Sequence, residues 1–242
     1  MPSWLLFVER MYLSVFNLCV AGAWGIVVFK WFVFLIAENP DAQRGSLHAL
    51  LPYGQLAEFM SSMEIINGFM RLTGSSVLGA LILHLGRGIV LFWVMSNFSM
   101  VYEGWSAPAL LVVWGFGDIS RFGYLALAKV GLDSKALKSF RYSIPLILFP
   151  LGVILEIVQV IGALLESQGL RYTIQVPRTA AGSHSADEDL LVMHIPVRPL
   201  LALFLITYIP GAPYMYRLIR VAWRKHMNRT RGPAGRMVSA AG

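Results

Sequence analysis

The chain of 242 residues is 57% hydrophobic and only 14% charged, with a mean hydropathy of +0.63. Soluble domains carry about 25% charged residues, and a water-soluble globule of this size cannot bury so much apolar surface. The composition therefore excludes a soluble enzyme and a free nucleic-acid-binding protein, and it predicts an all-α protein that crosses a membrane several times. The net charge of +7 then indicates basic residues at cytoplasmic helix ends rather than a polyanionic partner.

Hydrophobic runs predict six membrane-spanning helices, because a bilayer core of about 30 Å needs roughly 20 apolar residues in a helix. In chain order, the predicted spans are residues 12–36, 56–69, 75–96, 108–129, 142–165 and 199–221. The second is the shortest and contains Glu58 and Glu64. Residues 1–242 are therefore expected to form one membrane domain, a bundle of six transmembrane helices.

Basic residues predict the orientation of this bundle, because cytoplasmic loops carry an excess of lysine and arginine. The segment after the last span contains Arg224, Lys225, Arg229, Arg231 and Arg236. With six spans, the connections that hold Arg71 and residues 135–141 lie on the same side. Both termini are therefore expected in the cytoplasm. Residues 222–242 are expected to be a basic tail, disordered because it is rich in glycine and arginine.

The connection from Glu166 to Arg198 is the longest segment outside the predicted spans. Residues 179–186 within it are small and polar, a composition that is typical of a flexible insertion.

Ionisable residues lie inside three of the predicted spans, where they are costly and usually functional. The third span contains His84 and Arg87, the fourth Asp118 and Arg121, and the fifth Glu156. A rise of about 1.5 Å per residue places all five in a layer roughly 7 Å deep. This alignment favours a polar pocket for a substrate headgroup.

A structural interpretation of the same residues stays open. Asp118 and Arg121, three residues apart on one helix, can neutralise each other, and Arg87 can pair with Glu156 between helices. A buried histidine such as His84 is more often a packing residue with a hydrogen bond than a catalyst. The spacing of the histidines predicts no metal site, and no motif for a hydrolase nucleophile or a nucleotide phosphate is present.

The start of the fifth span carries the most specific motif. Residues 141–156 read Arg-Tyr-Ser-Ile-Pro-Leu-Ile-Leu-Phe-Pro-Leu-Gly-Val-Ile-Leu-Glu. This resembles the signature of the (3R)-3-hydroxyacyl-CoA dehydratases, the protein-tyrosine-phosphatase-like A family, which is close to R-Y-T, a short apolar run and Y-P-x-G-x-x-x-E. Weaker likenesses follow in the family's order at residues 12–17 with Trp24, 63–67, 114–122 and 208–216.

The resemblance implies a hydro-lyase of the endoplasmic reticulum membrane that acts in the third step of very-long-chain fatty-acid elongation. The implied substrate is a very-long-chain 3-hydroxyacyl-CoA, which loses water to give the trans-2-enoyl-CoA. No cofactor is implied; the implied partners are membrane lipid and other elongation enzymes. The substrate-binding residues are expected to be His84, Arg87, Asp118, Arg121, Arg141 and Tyr142.

The chain departs from the family pattern at the catalytic pair. The resemblance assigns the proton transfers to a tyrosine and a glutamate; the glutamate is Glu156, but the tyrosine position is Phe149. A phenyl ring transfers no proton. Tyr142 lies about 21 Å from Glu156 along the helix, which is too far, so a substitute must come from another helix. Tyr124 is the preferred candidate, and Tyr208 is the other.

Three functions stay open at this point. The first is an active dehydratase with Glu156 as its surviving acid–base group. The second is a catalytically impaired relative that binds acyl chains or scaffolds the elongation enzymes. The third is a small transporter, which is disfavoured because no pair of broken helices in matching halves indicates an inverted repeat.

Overall fold

The computed structural model describes residues 3–36, 46–73, 76–102, 104–177 and 190–230. Helices dominate these residues. In chain order they are α1 (Ser3–Ile36), α2 (Ser46–Phe69), α3 (Val77–Gly88), a π-helical segment (Ile89–Val94), α4 (Met95–Asn97), α5 (Ser99–Tyr102), α6 (Ser106–Lys129), α7 (Lys135–Glu166) and α8 (Val197–Thr230). Two strands, β1 (Arg171–Pro177) and β2 (Leu190–Pro196), lie between α7 and α8. The all-α class predicted from the sequence is confirmed, with this hairpin as an addition.

Five of the described helical segments are long and apolar enough to cross a membrane. They are Trp4–Ile36, Val77–Asn97, Ser106–Lys129, Lys135–Glu166 and Val197–Asn228. They correspond to five of the six predicted spans. All are longer than predicted except Val77–Asn97, which is shifted by one or two residues from the predicted 75–96. The remaining predicted span lies in α2, which has 24 residues and the length to cross, but does not reach the same apolar composition. The structure therefore shows a multi-pass membrane protein but does not show the count of six.

The acidic residues of α2 lie on its buried face. Buried positions recur every three or four residues along this helix, at Leu50, Gly54, Ala57, Glu58, Ser61 and Glu64. On the opposite face, Phe59 and Ile66 are exposed. This is the period of one helical face, so the two carboxylates of α2 face the interior of the bundle.

Close packing of α1 against α6 fixes one side of the bundle. A Cβ at Gly115 on α6 would lie 2.6 Å from the Val28 side chain of α1, so only glycine permits this approach. The indole N–H of Trp24, fully buried on α1, donates a 2.9 Å hydrogen bond to Ser61 of α2. These contacts fix the positions of α2 and α6 relative to α1.

The third span changes from α-helix to π-helix two residues after Arg87. The π-helical segment Ile89–Val94 follows α3 directly, and the Met95 N–H bonds the carbonyl of Val90, five residues back. A wider turn brings neighbouring residues onto one face, and Val90 and Leu91 are both fully buried. The third span therefore packs a broad apolar face on the C-terminal side of His84 and Arg87.

Short connections bring the ends of α6 and α7 together. Gly131 takes a positive φ of 87°, and the Leu132 N–H then bonds the Leu127 carbonyl at 3.0 Å, which ends α6 in a Schellman-type cap. The Ser134 hydroxyl accepts the Leu137 N–H at 3.1 Å and caps the start of α7. Because the turn is this tight, residues late in α6 and early in α7 lie at the same end of the bundle.

The connection between α7 and α8 is more ordered than the sequence suggests. β1 and β2 pair in antiparallel register from Arg171↔Pro196 to Pro177↔Leu190, and the Tyr172 hydroxyl accepts the indole N–H of Trp93 at 2.6 Å. These strands were not predicted from the sequence. The expectation of a flexible insertion concerns residues 179–186, which lie outside the described residues.

The last helix continues beyond the predicted end of its span. α8 extends to Thr230, so residues 222–230, expected to be disordered, are helical; residues 231–242 lie outside the described part of the chain. α8 packs mainly along α7, and its residues Leu203, Ile206 and Ile209 are exposed. An apolar outer surface around buried charge is the reverse of a soluble protein, and it is typical of a membrane domain.

Candidate active site

Charged side chains from three helices meet in the interior of the bundle. The group consists of Glu58 and Glu64 from α2, His84 and Arg87 from α3, and Asp118 and Arg121 from α6. Five of the six residues are at most 8% exposed, and Arg121 is partly buried. We call this group the buried charge cluster.

His84 and Arg87 both contact Glu58. The His84 Nδ1 atom lies 2.7 Å from Glu58 Oε1, and the Arg87 Nη1 atom lies 3.5 Å from Glu58 Oε2. The same Arg87 nitrogen donates a 2.7 Å hydrogen bond to Asp118 Oδ2. Arg87 therefore lies between carboxylates of α2 and α6 and joins three helices.

Arg121 completes the cluster by bonding Glu64 through its Nη2 atom. Its neighbour on α6, Asp118, bonds Arg87 instead. The alternative pairing of Asp118 with Arg121 along one helix is therefore not the arrangement found, and neither is a direct Arg87–Glu156 ion pair. Both arginines pair with carboxylates of other helices, which compensates buried charge that is otherwise expensive in a membrane.

Glu156 lies beside the cluster with two hydrogen-bond donors of its own. The indole N–H of Trp114 donates to its Oε1 atom at 2.9 Å, and the Tyr208 hydroxyl donates to its Oε2 atom at 2.8 Å. The guanidinium carbon of Arg87 lies 5.1 Å from the Trp114 ring centroid, within the range of a cation–π contact. Trp114 therefore connects the buried charge cluster to Glu156, and Glu156 connects it to Tyr208 on α8.

A cavity of about 350 Å³ lies along these groups. Its wall contains the charged or hydroxylated residues Ser76, Arg87, Asp118, Arg121, Arg141, Tyr142 and Glu156. Ser76 precedes α3, Arg121 is late in α6, Arg141 is early in α7 and Ala222 is late in α8, so one end of the bundle surrounds the cavity mouth. We call this the arginine end. Glu156 lies roughly 22 Å deeper than Arg141 along α7, at 1.5 Å per residue.

A second, smaller cavity of about 90 Å³ adjoins the first. The two share the wall residues Leu83, Phe149, Glu156 and Met215. The smaller cavity also contains Thr207 and Tyr208 of α8, and the rest of its wall is apolar. Glu156 therefore lies at the junction of the larger cavity, which has the arginines in its wall, and the smaller one, and the hydroxyl of Tyr208 meets it there.

Most of the site residues predicted from the sequence line the large cavity. They are Arg87, Asp118, Arg121, Arg141, Tyr142 and Glu156. His84 is absent from both cavity walls and is held between Glu58 and Glu64. His84 is therefore a member of the buried charge cluster but not of either cavity wall.

The tyrosine that faces Glu156 is Tyr208, which was the less favoured candidate. The Tyr124 hydroxyl donates a 2.9 Å hydrogen bond to Asp133, and Tyr124 lies in neither cavity wall. Tyr142 stacks on His226 with ring centroids 4.8 Å apart. The geometry therefore assigns no contact with Glu156 to Tyr124 or Tyr142, and the preference for Tyr124 is corrected.

Phe149 lies in the walls of both cavities. Its ring is nearly parallel to the ring of Tyr216, with centroids 6.4 Å apart. The position that holds a tyrosine in the family signature is therefore an apolar part of the cavity wall in this chain.

Sequence reasoning did not assign functional roles to Glu58, Glu64 and Trp114. Glu58 and Glu64 lower the hydropathy of α2 and so argue against a membrane span. Their spacing of six residues, with small residues at 54, 57 and 61, instead indicates that both lie on one inward face of the helix. Trp114 lies four residues before Asp118, one turn along α6, and that spacing is the available signal for it. No local pattern indicates that its indole reaches Glu156.

The fold and the site define a multi-pass membrane protein with a buried charge cluster and two adjoining cavities. The family profile described as "Protein tyrosine phosphatase-like protein, PTPLA" matches residues 58–229, which include α3, α6, α7 and nearly all of α8. The chain belongs to this family.

Curated relatives point to one activity. The chain is 26% identical over 212 residues to the very-long-chain (3R)-3-hydroxyacyl-CoA dehydratase PASTICCINO 2B of Oryza sativa subsp. japonica, covering 86% of this chain and 89% of the relative. It is 26% identical over 220 residues to PASTICCINO 2 of Arabidopsis thaliana, covering 90% and 93%. The human very-long-chain (3R)-3-hydroxyacyl-CoA dehydratase 3 is 24% identical over 160 residues, 66% of this chain and 44% of that protein. No solved structure matches the chain.

Proposed function

We propose that this protein is a very-long-chain (3R)-3-hydroxyacyl-CoA dehydratase in which Glu156 and Tyr208 form the acid–base pair. The observation that carries the proposal is the 2.8 Å hydrogen bond between these residues at the junction of the two cavities. The reaction needs one group to accept the C2 proton and another to protonate the leaving C3 hydroxyl. The carboxylate of Glu156 can accept the first proton and the phenol of Tyr208 can donate the second. The pair therefore does not need the signature tyrosine that Phe149 replaces.

The proton balance closes within this pair. The Glu156 carboxylate takes the proton from C2, the C2–C3 double bond forms, and the C3–O bond breaks as the Tyr208 hydroxyl protonates the departing oxygen. Water leaves, and the proton now on Glu156 returns to the Tyr208 phenolate along their hydrogen bond. Trp114 holds the other carboxylate oxygen at 2.9 Å, which keeps Glu156 oriented towards Tyr208.

Arg87 is the candidate for hydrogen bonding to the thioester. Removal of the C2 proton places negative charge on the thioester oxygen, and preorganised N–H donors in a water-poor site stabilise such charge. Arg87 lines the large cavity, and its bond to Asp118 holds it in place. We infer that the thioester lies in the large cavity within reach of this arginine.

Arg141 is the candidate for binding the CoA phosphates. It lies at the arginine end, in the wall of the large cavity, and its guanidinium carbon lies 5.0 Å and 5.1 Å from the ring centroids of Tyr124 and Tyr142. These two rings orient the guanidinium without neutralising it. A guanidinium presented in this way suits the bidentate recognition of a phosphate.

The same end of the bundle is proposed to face the cytoplasm, in the endoplasmic reticulum membrane, where the other elongation enzymes act as partners. The acidic residues of α2 face inward and are paired, which supports α2 as a sixth span with both termini in the cytoplasm. In sealed microsomes of a Cys19→Ser background, Ser3→Cys and Leu132→Cys would then both react with a membrane-impermeant maleimide, and Gln168→Cys would not. Reaction of only one of the first two positions would indicate five spans.

The activity is tested with purified protein and (3R)-3-hydroxypalmitoyl-CoA. The wild type should form the trans-2-enoyl-CoA, and Glu156→Gln should lower the rate by roughly 10²–10⁴-fold. Glu166→Gln is the matched control, because this carboxylate on the same helix bonds Ser99 and Met100 instead. If the wild type is inactive and Phe149→Tyr creates the activity, the second candidate function, an impaired relative that binds acyl chains or scaffolds elongation enzymes, replaces the first.

A further inference from the structure

The smaller cavity continues from the reaction site towards the outside of the bundle. Beyond Glu156 and Tyr208 its wall is formed by residues of α3, α7 and α8. It is partly open, and Thr207 in its wall is exposed. It therefore forms a side passage between α3 and α8, at a depth where both helices are apolar and their outer surfaces are exposed.

Two glycines keep this passage wide. Gly86 on α3 and Gly211 on α8 both line the smaller cavity, and a Cβ built at either position meets no atom within 4 Å. Nearer the arginine end the same two helices come closer, since a Cβ on Gly79 would lie 3.6 Å from Leu218 of α8. The gap between α3 and α8 is thus local to the level of the reaction site.

The distribution of charge between the two cavities matches the two ends of the substrate. The large one has arginines in its wall, and the small one is apolar apart from Thr207 and the Glu156–Tyr208 pair. A 3-hydroxyacyl thioester is polar on one side of C2–C3 and a hydrocarbon on the other. With C2–C3 at Glu156 and Tyr208 and the thioester on the side of the arginines, the hydrocarbon extends into the smaller cavity, which is the side passage.

We propose that the acyl chain leaves the reaction site through this passage and enters the lipid between α3 and α8, with Gly86 and Gly211 as the residues that admit it. This inference rests on the proposed function, and it adds a structural explanation for how the site accepts long acyl chains. A closed pocket measures chain length by its end wall, whereas a side opening has none. The lipid beyond the opening is as apolar as the passage itself, so each further methylene finds the same surroundings.

The first test uses substrates of two lengths with Gly86→Leu and Gly211→Leu. At either position the Cβ of the leucine would meet no atom within 4 Å, and the rest of the side chain would occupy the passage. We expect the rate with (3R)-3-hydroxypalmitoyl-CoA to fall roughly tenfold or more, a change that a filled apolar pocket typically produces. The rate with (3R)-3-hydroxybutanoyl-CoA, which has no tail to place there, should remain close to that of the wild type. Gly22→Leu on α1, where a Cβ also meets no atom within 4 Å, is the control.

Equal loss on both substrates, or loss on neither, would overturn the inference while leaving the dehydratase assignment intact. A second measurement is independent of turnover. Palmitoyl-CoA with a diazirine a few carbons beyond C3, where the chain would still lie in the passage, should cross-link to residues 82–86 or 204–212, and Gly211→Leu should abolish that cross-link. Cross-links placed on α1 or α2 instead would exclude the passage, and absence of turnover by the wild type would count against the proposed function only.

Discussion

The hydroxyl of Tyr208 donates a 2.8 Å hydrogen bond to the carboxylate of Glu156, across an interface between helices that are separated by a β-hairpin. The two residues are 52 positions apart in the chain. Their contact places a phenol beside Glu156, the glutamate of the family signature, even though Phe149 occupies the position of the signature's tyrosine. The first two predictions follow from this contact.

Tyr208→Phe removes one of the two proton-transfer groups and keeps the ring. We expect kcat for dehydration of (3R)-3-hydroxypalmitoyl-CoA to fall by roughly 10²–10⁴-fold, with KM nearly unchanged because the wall keeps its shape. Tyr214→Phe, on the same helix but exposed, serves as the control. A kcat within a factor of two of the wild type for Tyr208→Phe would remove Tyr208 from the mechanism.

Phe149→Tyr places a second phenol in the wall shared by both cavities. In the wild-type background the change should have little effect, because the proton-transfer pair is already complete. In the Tyr208→Phe background it should recover part of the lost rate, since a general acid or base contributes roughly 10²–10⁴-fold. Steady-state rates of the four combinations provide the measurement. A large gain from Phe149→Tyr alone would instead identify the wild type as impaired.

Arg141→Ala removes a guanidinium from the mouth of the large cavity. If Arg141 binds a phosphate, KM for the acyl-CoA should rise about tenfold, since a hydrogen bond to a charged group contributes roughly 1.5–3 kcal/mol. The corresponding acyl-pantetheine thioester, which lacks the nucleotide phosphates, should show no change in KM. Lys135→Ala, exposed at the start of the same helix, is the control. An equal change in KM for both substrates would argue against phosphate binding.

Arg87→Ala leaves Asp118 and Glu58 buried without their shared partner. Removal of one member of a buried ion pair typically lowers the free energy of unfolding by about 3–5 kcal/mol, and we expect a loss of this order in detergent micelles. Denaturant titration of Arg87→Ala, Asp118→Asn and the double variant gives the coupling energy, expected at roughly 0.5–3 kcal/mol for residues in contact. Additive effects of the two substitutions would mean that the pair does not act as a unit. Arg220→Ala, exposed on α8, should change stability little.

The sequence predicts the helices of this protein well because apolar length is a local property. The layer of ionisable residues was also predictable, since the rise of a helix is fixed and depth follows from counting. The rotation of α3 about its own axis could not be predicted. It places Arg87 in the cavity wall and His84 outside it, although the two residues are one turn apart. That difference depends on where Glu58 lies on a neighbouring helix, for which one sequence contains no direct signal.

Contacts between distant segments were the least predictable part. Tyr124 lies on the same face of α6 as Arg121, and that local relationship made it the favoured substitute for the missing tyrosine. Its hydroxyl instead bonds Asp133, which the tight turn after Gly131 brings close. Tyr208 reaches Glu156 because α8 packs along α7, and the register of that packing is set by side chains over several turns.

The paired strands that precede α8 fix the spacing on which this contact depends. Because Arg171 lies opposite Pro196 and the Val197 N–H bonds the carbonyl of Leu170, the ladder closes the loop at its base, beside both helices. Residues gained or lost at the far tip of the ladder would leave that closure unchanged. A longer or shorter projection would therefore still bring the phenol of Tyr208 to the carboxylate of Glu156.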